Sequence, residues 1–150
     1  MARFRFRLEA SLRLAEQALE SAQREFAQEV QLWKSLVEAS KVQQEYFNAA
    51  QQGQREAGRH RPEELGSWHL FASEQQRQLQ QCNGELRAQE PIMENARRIL
   101  LEAHREVEKF KRLKEKQTKA FQLAGLQKEQ KILDETGQVL HWRQKSVPTK

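Results

Sequence analysis

Two stripes of apolar residues, separated by one stretch rich in glycine and proline, run through most of this sequence. In the first stripe the apolar residues follow one another at steps of three or four positions, which is the repeat of one face of an α-helix. Its members are Leu8, Leu12, Ala15, Leu19, Ala22, Phe26, Val30, Trp33 and Val37. The pattern predicts a first helix over residues of about 4–52.

The second stripe has the same repeat and extends further along the chain. It contains Leu79, Cys82, Leu86, Met93, Ala96, Leu100, Ala103, Val107 and Phe110, and it continues to the heptad series Leu126, Leu133 and Leu140. We predict a second helix over about 67–141 and a flexible tail over 142–150. Gly84 and Pro91 fall inside this helix. Because proline removes one backbone hydrogen bond, we expect a kink at Pro91 rather than a break.

The stretch between the stripes contains Gly53, Gly58, Pro62 and Gly66 and predicts a chain reversal over about 53–66. Residues 61–65 can still form one helical turn, since proline is tolerated at a first helical position. Two helices joined by one reversal can bury their stripes only against each other. The prediction is therefore an all-α fold, a long antiparallel two-helix coiled-coil hairpin that forms a single elongated domain over residues 1–150.

The two predicted helices differ in length, so part of the second lacks a partner. A turn near residue 59 places Arg3 opposite about Glu115, and roughly the last 25 helical residues then extend past the start of helix 1. This overhang contains Phe121, Leu123, Leu126, Ile132, Leu133, Val139 and Leu140. An exposed apolar set of this kind indicates a binding surface.

Residues suited to catalysis or metal binding do not converge in the sequence. His60, His69, His104 and His141 show no His-x-x-x-His spacing, and Cys82 is the single cysteine. There is no glycine-rich phosphate loop and no carboxylate pair in an apolar setting. We predict that the protein is not an enzyme and that it holds no cofactor and no metal.

The chain carries no sign of export or of membrane insertion. No apolar run approaches the roughly 20 residues of a membrane span, and no apolar segment of a signal peptide follows the start. One cysteine excludes an intramolecular disulfide, so no oxidising compartment is implied. We expect a cytoplasmic protein.

Positive charge is concentrated in the last part of the chain. The formal net charge is +5, and residues 91–150 carry 14 Lys and Arg against 8 Asp and Glu. The densest part, residues 105–119, suits an acidic protein, nucleic acid or anionic lipid. Because Glu106, Glu108 and Glu115 interrupt it and Phe110 is its only aromatic residue, nucleic acid is not the expected partner. A basic adaptor that binds nucleic acid or an anionic membrane remains an alternative.

Two aromatic groups are not explained by a solvated helix pair. Trp68, Leu70 and Phe71 follow the reversal, where they either form an apolar plug that closes the turn or present a docking surface centred on tryptophan. At the start of the chain, Phe4 and Phe6 point to different sides of either a strand or a helix. At least one of them is expected to face a partner or helix 2.

Three short motifs resemble those of a known family. They are Phe4-x-Phe6-x-Leu8-Glu9-x-x-Leu12-x-Leu14 at the start, Lys114-Glu115-Lys116-Gln117 in the second helix, and Glu129-x-Lys131-x-x-Asp134-Glu135 near the end. In this order, and over nearly the whole chain, the sequence resembles the FliJ family of flagellar export proteins. The first and last motifs are the more specific ones, because no heptad repeat requires them.

The resemblance implies a non-enzymatic stalk of the flagellar type III export apparatus, which serves flagellum assembly and motility. Such a protein binds the hexameric export ATPase, promotes assembly of its ring, links it to the membrane export gate protein, and interacts with substrate chaperones. It is cytoplasmic and associates peripherally with the cytoplasmic face of the inner membrane at the flagellar base. The stalk of a needle-type injectisome is a close alternative.

The resemblance also assigns roles to residues. The end held by the ATPase ring would comprise Phe4, Phe6, Leu8, Leu12, Glu129, Lys131, Asp134 and Glu135. Trp68, Leu70 and Phe71 would contact the export gate, by position and character rather than by a motif. Gly84 and Pro91 depart from the family's pattern and put the straightness of the stalk in doubt.

Overall fold

The structure is a computed structural model that describes residues 3–146, and it consists of two long helices. Helix α1 spans Glu9–His60, a 3-10 helix spans Pro62–Glu64, and helix α2 spans Leu65–Ser146. The described residues contain no strand. The predicted all-α helical hairpin is confirmed.

The reversal is shorter than the sequence predicts. Helix α1 passes through Gly53 and Gly58 and ends at His60, because one glycine in a helix costs only about 1 kcal/mol relative to alanine. The buried residues Ala50 and Ala57 extend the apolar stripe past the predicted end. The turn itself is limited to Arg61 and the predicted helical turn, which is confirmed as the 3-10 helix with proline at its start.

The other helix boundaries also differ from the predicted ones. Helix α1 begins at Glu9 rather than near Phe4, because residues 3–6 form a non-helical segment that buries Phe6. The Glu9 N–H donates to the Phe6 carbonyl over 3.3 Å, and the Glu9 carboxylate is favourably placed in the first helical turn. Helix α2 continues through Gly84 and Pro91 to Ser146, so residues 142–146 of the predicted tail are helical, and 147–150 lie outside the described residues.

The chain divides into two compact units, which we describe separately. The terminal unit is Met1–Glu16 with Arg105–Lys150, and the reversal unit is Gln17–His104. In the terminal unit the buried side chains are mostly large and apolar. They are Phe6, Leu12, Ala15 and Val107.

In the reversal unit the most deeply buried side chains of the seam are mostly small or polar. Its buried residues are Ala22, Gln43, Ala50, Ala57, Ala72, Leu79, Gln89 and Ala96. Ser40 Oγ donates to Asn83 Oδ1 over 2.6 Å, and Gln43 Nε2 donates to Gln75 Oε1 over 2.7 Å. These hydrogen bonds cross from α1 to α2 and fix which residues of the two helices face each other.

Candidate functional site

A small apolar surface, the reversal patch, lies at the start of α2 and consists of Ser67, Trp68, Leu70 and Phe71. Trp68 is half-buried and lies against α1 at Gly53. Its ring meets the Phe71 ring edge-on, with centroids 6.0 Å apart and planes at 77°. Together with Ser67, the two rings line a shallow apolar hollow.

The two interpretations of this aromatic group apply to different rings. Trp68 packs across the two helices and so acts as the plug that the sequence suggests. Phe71 and Leu70 are 48% and 72% exposed, which leaves both available to a partner. The reversal patch thus combines a packed support with an accessible apolar surface.

A polar cleft that the sequence did not reveal also borders Trp68. Its lining includes Gln52, Glu56, His60 and Glu64. Gln52 Nε2 donates to Glu56 Oε1 over 3.3 Å, and Arg61 Nη1 lies 3.6 Å from Glu64 Oε2. No sequence motif identifies this cleft, because the reversal is what brings the α1 side of its lining to Glu64 and Trp68.

In the terminal unit, the residues of the first motif are divided between the core and the surface. Phe6 and Leu12 are buried, so their side chains are not accessible to a partner. Phe4 is half-buried against Phe121, with ring centroids 5.5 Å apart. Leu8 is exposed. The aromatic pair confirms the expectation that one of the two N-terminal phenylalanines faces helix 2.

An interhelical ion pair lies close to this contact. Lys114 Nζ is 2.9 Å from Glu9 Oε2, and both side chains are partly exposed. The contact of Phe4 with Phe121 corrects the predicted register, which places Arg3 opposite Glu115. Residues 3–6 are non-helical and extend further per residue than a helix does, so Phe4 contacts α2 beyond the predicted position.

The overhang, residues 121–145, is helical and every one of its side chains is exposed. The last motif lies here: Glu129, Lys131, Asp134 and Glu135 are all exposed. Gln130 Nε2 donates to Asp134 Oδ1 over 3.1 Å. The apolar residues predicted to lack a partner are exposed as expected, with Leu126 at 63% and Leu133 at 65%. Phe121 is the exception to the prediction, because it contacts Phe4.

Sequence reasoning missed Trp142, which is 75% exposed on the last turns of α2. It lines a shallow hollow with Glu135, Gln138, Val139 and Arg143. The prediction placed Trp142 in a flexible tail. The repeat fades after Leu140, so no sequence signal extended the predicted helix to Trp142.

The basic stretch, residues 105–119, is partly neutralised within the protein. In addition to the Lys114 contact with Glu9, Lys119 Nζ lies 3.1 Å from Glu115 Oε1, and Lys109 Nζ lies 3.9 Å from Glu106 Oε2. Exposed pairs of this kind contribute little to stability but reduce the local positive potential. The stretch is therefore a weaker polyanion surface than its lysine and arginine content suggests.

Titratable groups do not form a cluster of metal ligands in the described part of the chain. No group of three or more His, Cys, Asp or Glu lies close enough to hold a metal ion among residues 3–146. Cys82 is a half-buried free thiol in the seam, and His69 Nδ1 lies 3.2 Å from Gln54 Nε2. No described helix is long and apolar enough to cross a membrane.

Comparison with models of protein families gives a match that covers nearly the whole chain. The model of a family described as flagellar FliJ protein matches residues 4–146. This range contains both the reversal patch and the overhang. No curated protein and no solved structure matches the chain.

Proposed function

Because the chain belongs to the FliJ family of flagellar proteins, and is thus associated with flagellar type III export, we propose that it is the stalk that couples the export ATPase ring to the export gate. In this role it hydrolyses nothing itself. It binds the hexameric export ATPase, promotes closure of the ring, and contacts the membrane export gate protein and substrate chaperones. The observation that carries the proposal is the overhang, whose apolar and charged side chains are all exposed.

The overhang and the residues beside it are the proposed surface for the ATPase ring. Glu129, Lys131, Asp134 and Glu135 supply charges of both signs, and exposed leucines supply apolar area between them. Phe6 and Leu12 act indirectly, since they are buried and hold the N-terminal segment in place. Electrostatic complementarity sets the register on the ring, and the apolar side chains supply most of the affinity.

The stalk promotes assembly of the ATPase ring by mass action. A stalk that contacts several ATPase subunits at once binds the closed hexamer and not the free subunits. Binding energy gained only in the hexamer shifts the assembly equilibrium towards it. Because the ring hydrolyses ATP when assembled, the stalk raises ATPase turnover without contributing a catalytic group.

The reversal patch is the proposed contact with the export gate. Phe71 and Leu70 offer exposed apolar area next to a packed tryptophan, which is the composition of a protein-binding hot spot. Phe71→Ala should leave the helical circular dichroism signal unchanged and weaken binding to the gate protein by about tenfold or more. Loss of the helical signal in this variant would show that Phe71 is structural instead.

The ATPase contact is tested with the cognate export ATPase and matched surface variants. Wild-type protein should co-elute with the ATPase and raise its turnover, whereas the double variant Leu126→Glu with Leu133→Glu should do neither. The double variant Leu32→Glu with Ile92→Glu is the control, because these side chains are 48% and 51% exposed and belong to the reversal unit. Full stimulation by the double variant would rule out the overhang as the ring contact, and failure of the wild type would rule out the stalk role.

A further inference from the structure

Trp68 reaches α1 at a position where only glycine leaves room for it. A Cβ atom built on Gly53 would lie 2.6 Å from Cε3 and 2.6 Å from Cη2 of the Trp68 ring. Carbon atoms pack at about 3.5–4.0 Å, so the indole occupies the space that any other side chain at position 53 would need. We call Gly53 the seat of Trp68, meaning the position on α1 against which the indole ring packs.

The backbone of α1 does not itself require a glycine at this position. Gly53 is inside the helix, and no glycine of the described residues has a positive φ. Glycine is the poorest helix former after proline, so alanine would favour the helix at any position without a steric conflict. The close approach of Trp68 is the reason that α1 carries a glycine here.

The seat connects to the exposed side of the reversal patch through one ring contact. Trp68 meets Phe71 edge-on at 6.0 Å, and Phe71 is one turn further along α2. We infer that Gly53 is a positioning residue for Phe71, because it seats Trp68 on α1 and Trp68 in turn fixes the exposed phenylalanine ring. The effect on gate binding rests on the proposed function, whereas the seat itself does not.

Gly84 provides a matched control for Gly53. It also lies within a helix, but a Cβ atom added there would meet nothing within 4 Å. Gly84→Ala should raise the melting temperature by about 2–4 °C through helix propensity alone. Gly53→Ala should lower it, because the added methyl group displaces Trp68 from its packing.

The decisive measurement is the sign change in a double-mutant cycle. In a Trp68→Ala background the space is empty, so Gly53→Ala should raise the melting temperature as Gly84→Ala does. We expect the effects of Gly53→Ala in the two backgrounds to differ by at least about 4 °C. Equal effects of Gly53→Ala in both backgrounds would show that Trp68 does not pack against Gly53 and would contradict the inference.

Tryptophan fluorescence reports the movement directly. Trp33→Phe with Trp142→Phe leaves Trp68 as the one tryptophan of the three in the sequence. In this background Gly53→Ala should shift the emission to longer wavelength and increase acrylamide quenching, while the helical circular dichroism signal persists. An unchanged spectrum would show that Trp68 stays in place and would contradict the inference.

Binding to the purified export gate protein separates positioning from stability. Gly53→Ala should weaken binding by about tenfold, which corresponds to 1.4 kcal/mol, and Gly84→Ala should leave it unchanged. If the fluorescence shifts and binding does not, Gly53 does not position Phe71. If wild-type protein fails to bind, the gate role fails, and the temperature and fluorescence measurements still decide the seat.

Discussion

The terminal unit and the reversal unit pair the same two helices with different chemistry. In the terminal unit Phe6, Leu12 and Val107 are buried, and each such side chain contributes roughly 1.5–3 kcal/mol on burial. In the reversal unit the buried side chains are mainly alanines, with Gln43 and Gln89 among them. The hydrogen bonds that Gln43 and Gln89 donate to the other helix contribute only about 0.5–1.5 kcal/mol each. The comparison teaches that apolar area holds the terminal unit, whereas hydrogen bonds between the helices set the register of the reversal unit.

The largest expected effect comes from a charge placed in the seam of the reversal unit. Leu100 is half-buried, and Leu100→Asp removes its apolar contacts and buries a carboxylate without a partner. The expected cost is about 4 kcal/mol of unfolding free energy, enough to unfold a marginal hairpin. Circular dichroism during urea denaturation measures it. The adjacent Leu101 is 41% exposed, and Leu101→Asp should leave the transition nearly in place.

The second effect tests the apolar core of the terminal unit. Leu12→Ala should cost about 3 kcal/mol, because Leu12 is only 4% exposed and its removal leaves a cavity. Leu14→Ala, two positions away and 67% exposed, should change stability by less than about 0.5 kcal/mol. Urea denaturation of both variants provides the comparison. Similar losses at the two positions would mean that the terminal unit does not depend on buried apolar area.

The third effect tests the polar seam of the reversal unit. Gln89 Nε2 donates to the carboxylate and the backbone carbonyl of Glu29. Gln89→Leu leaves that half-buried carboxylate without this donor and should cost about 1–2 kcal/mol. Adding Glu29→Leu should restore the lost stability, since replacing both hydrogen-bond partners by apolar groups is nearly neutral. If the double variant is less stable than Gln89→Leu alone, the Glu29 side chain stabilises the fold by more than its hydrogen bond with Gln89.

The smallest effect concerns an exposed counterpart of that buried contact. On the surface of the reversal unit, hydrogen bonds from Arg77 and then Gln78 hold the pKa of Glu74 below its ordinary value of 4.5. A carboxyl group whose pKa is lowered on folding stabilises the folded state at pH values above its ordinary pKa. This stabilisation is lost as the pH falls through the folded-state pKa. Arg77→Ala should raise the Glu74 pKa, as measured by NMR titration, with little change in stability. An unchanged pKa would show that Arg77 does not hold the carboxylate in solution.

The helical part of the fold was predictable because it depends on a local repeat. The three and four spacing identified both helices, and the unequal stripe lengths identified the overhang. The reversal was predicted too wide, since Gly53 and Gly58 were interpreted as helix breakers. Whether a glycine interrupts a helix depends on what packs against it, and the contact of Trp68 with Gly53 joins residues from opposite sides of the turn.

The candidate binding surfaces were only partly predictable for the same reason. Exposure of the last motif followed from its position beyond the partner helix. Burial of Leu12 followed from its place in the first apolar stripe. Burial of Phe6 did not follow, because Phe6 lies outside the stripe and a motif does not show which of its residues face the core. Trp142 was missed since the repeat fades before it, and the polar cleft near Trp68 requires the three-dimensional turn.

The exposure of the overhang has a consequence for its dynamics. Most of the stability of a protein helix comes from a packed apolar face, so the exposed residues 122–145 should exchange their amide protons far faster than residues 105–118. The contacts with a binding partner must therefore offset the conformational entropy that is lost when these residues become rigid. That cost lowers the affinity of any complex that the overhang forms.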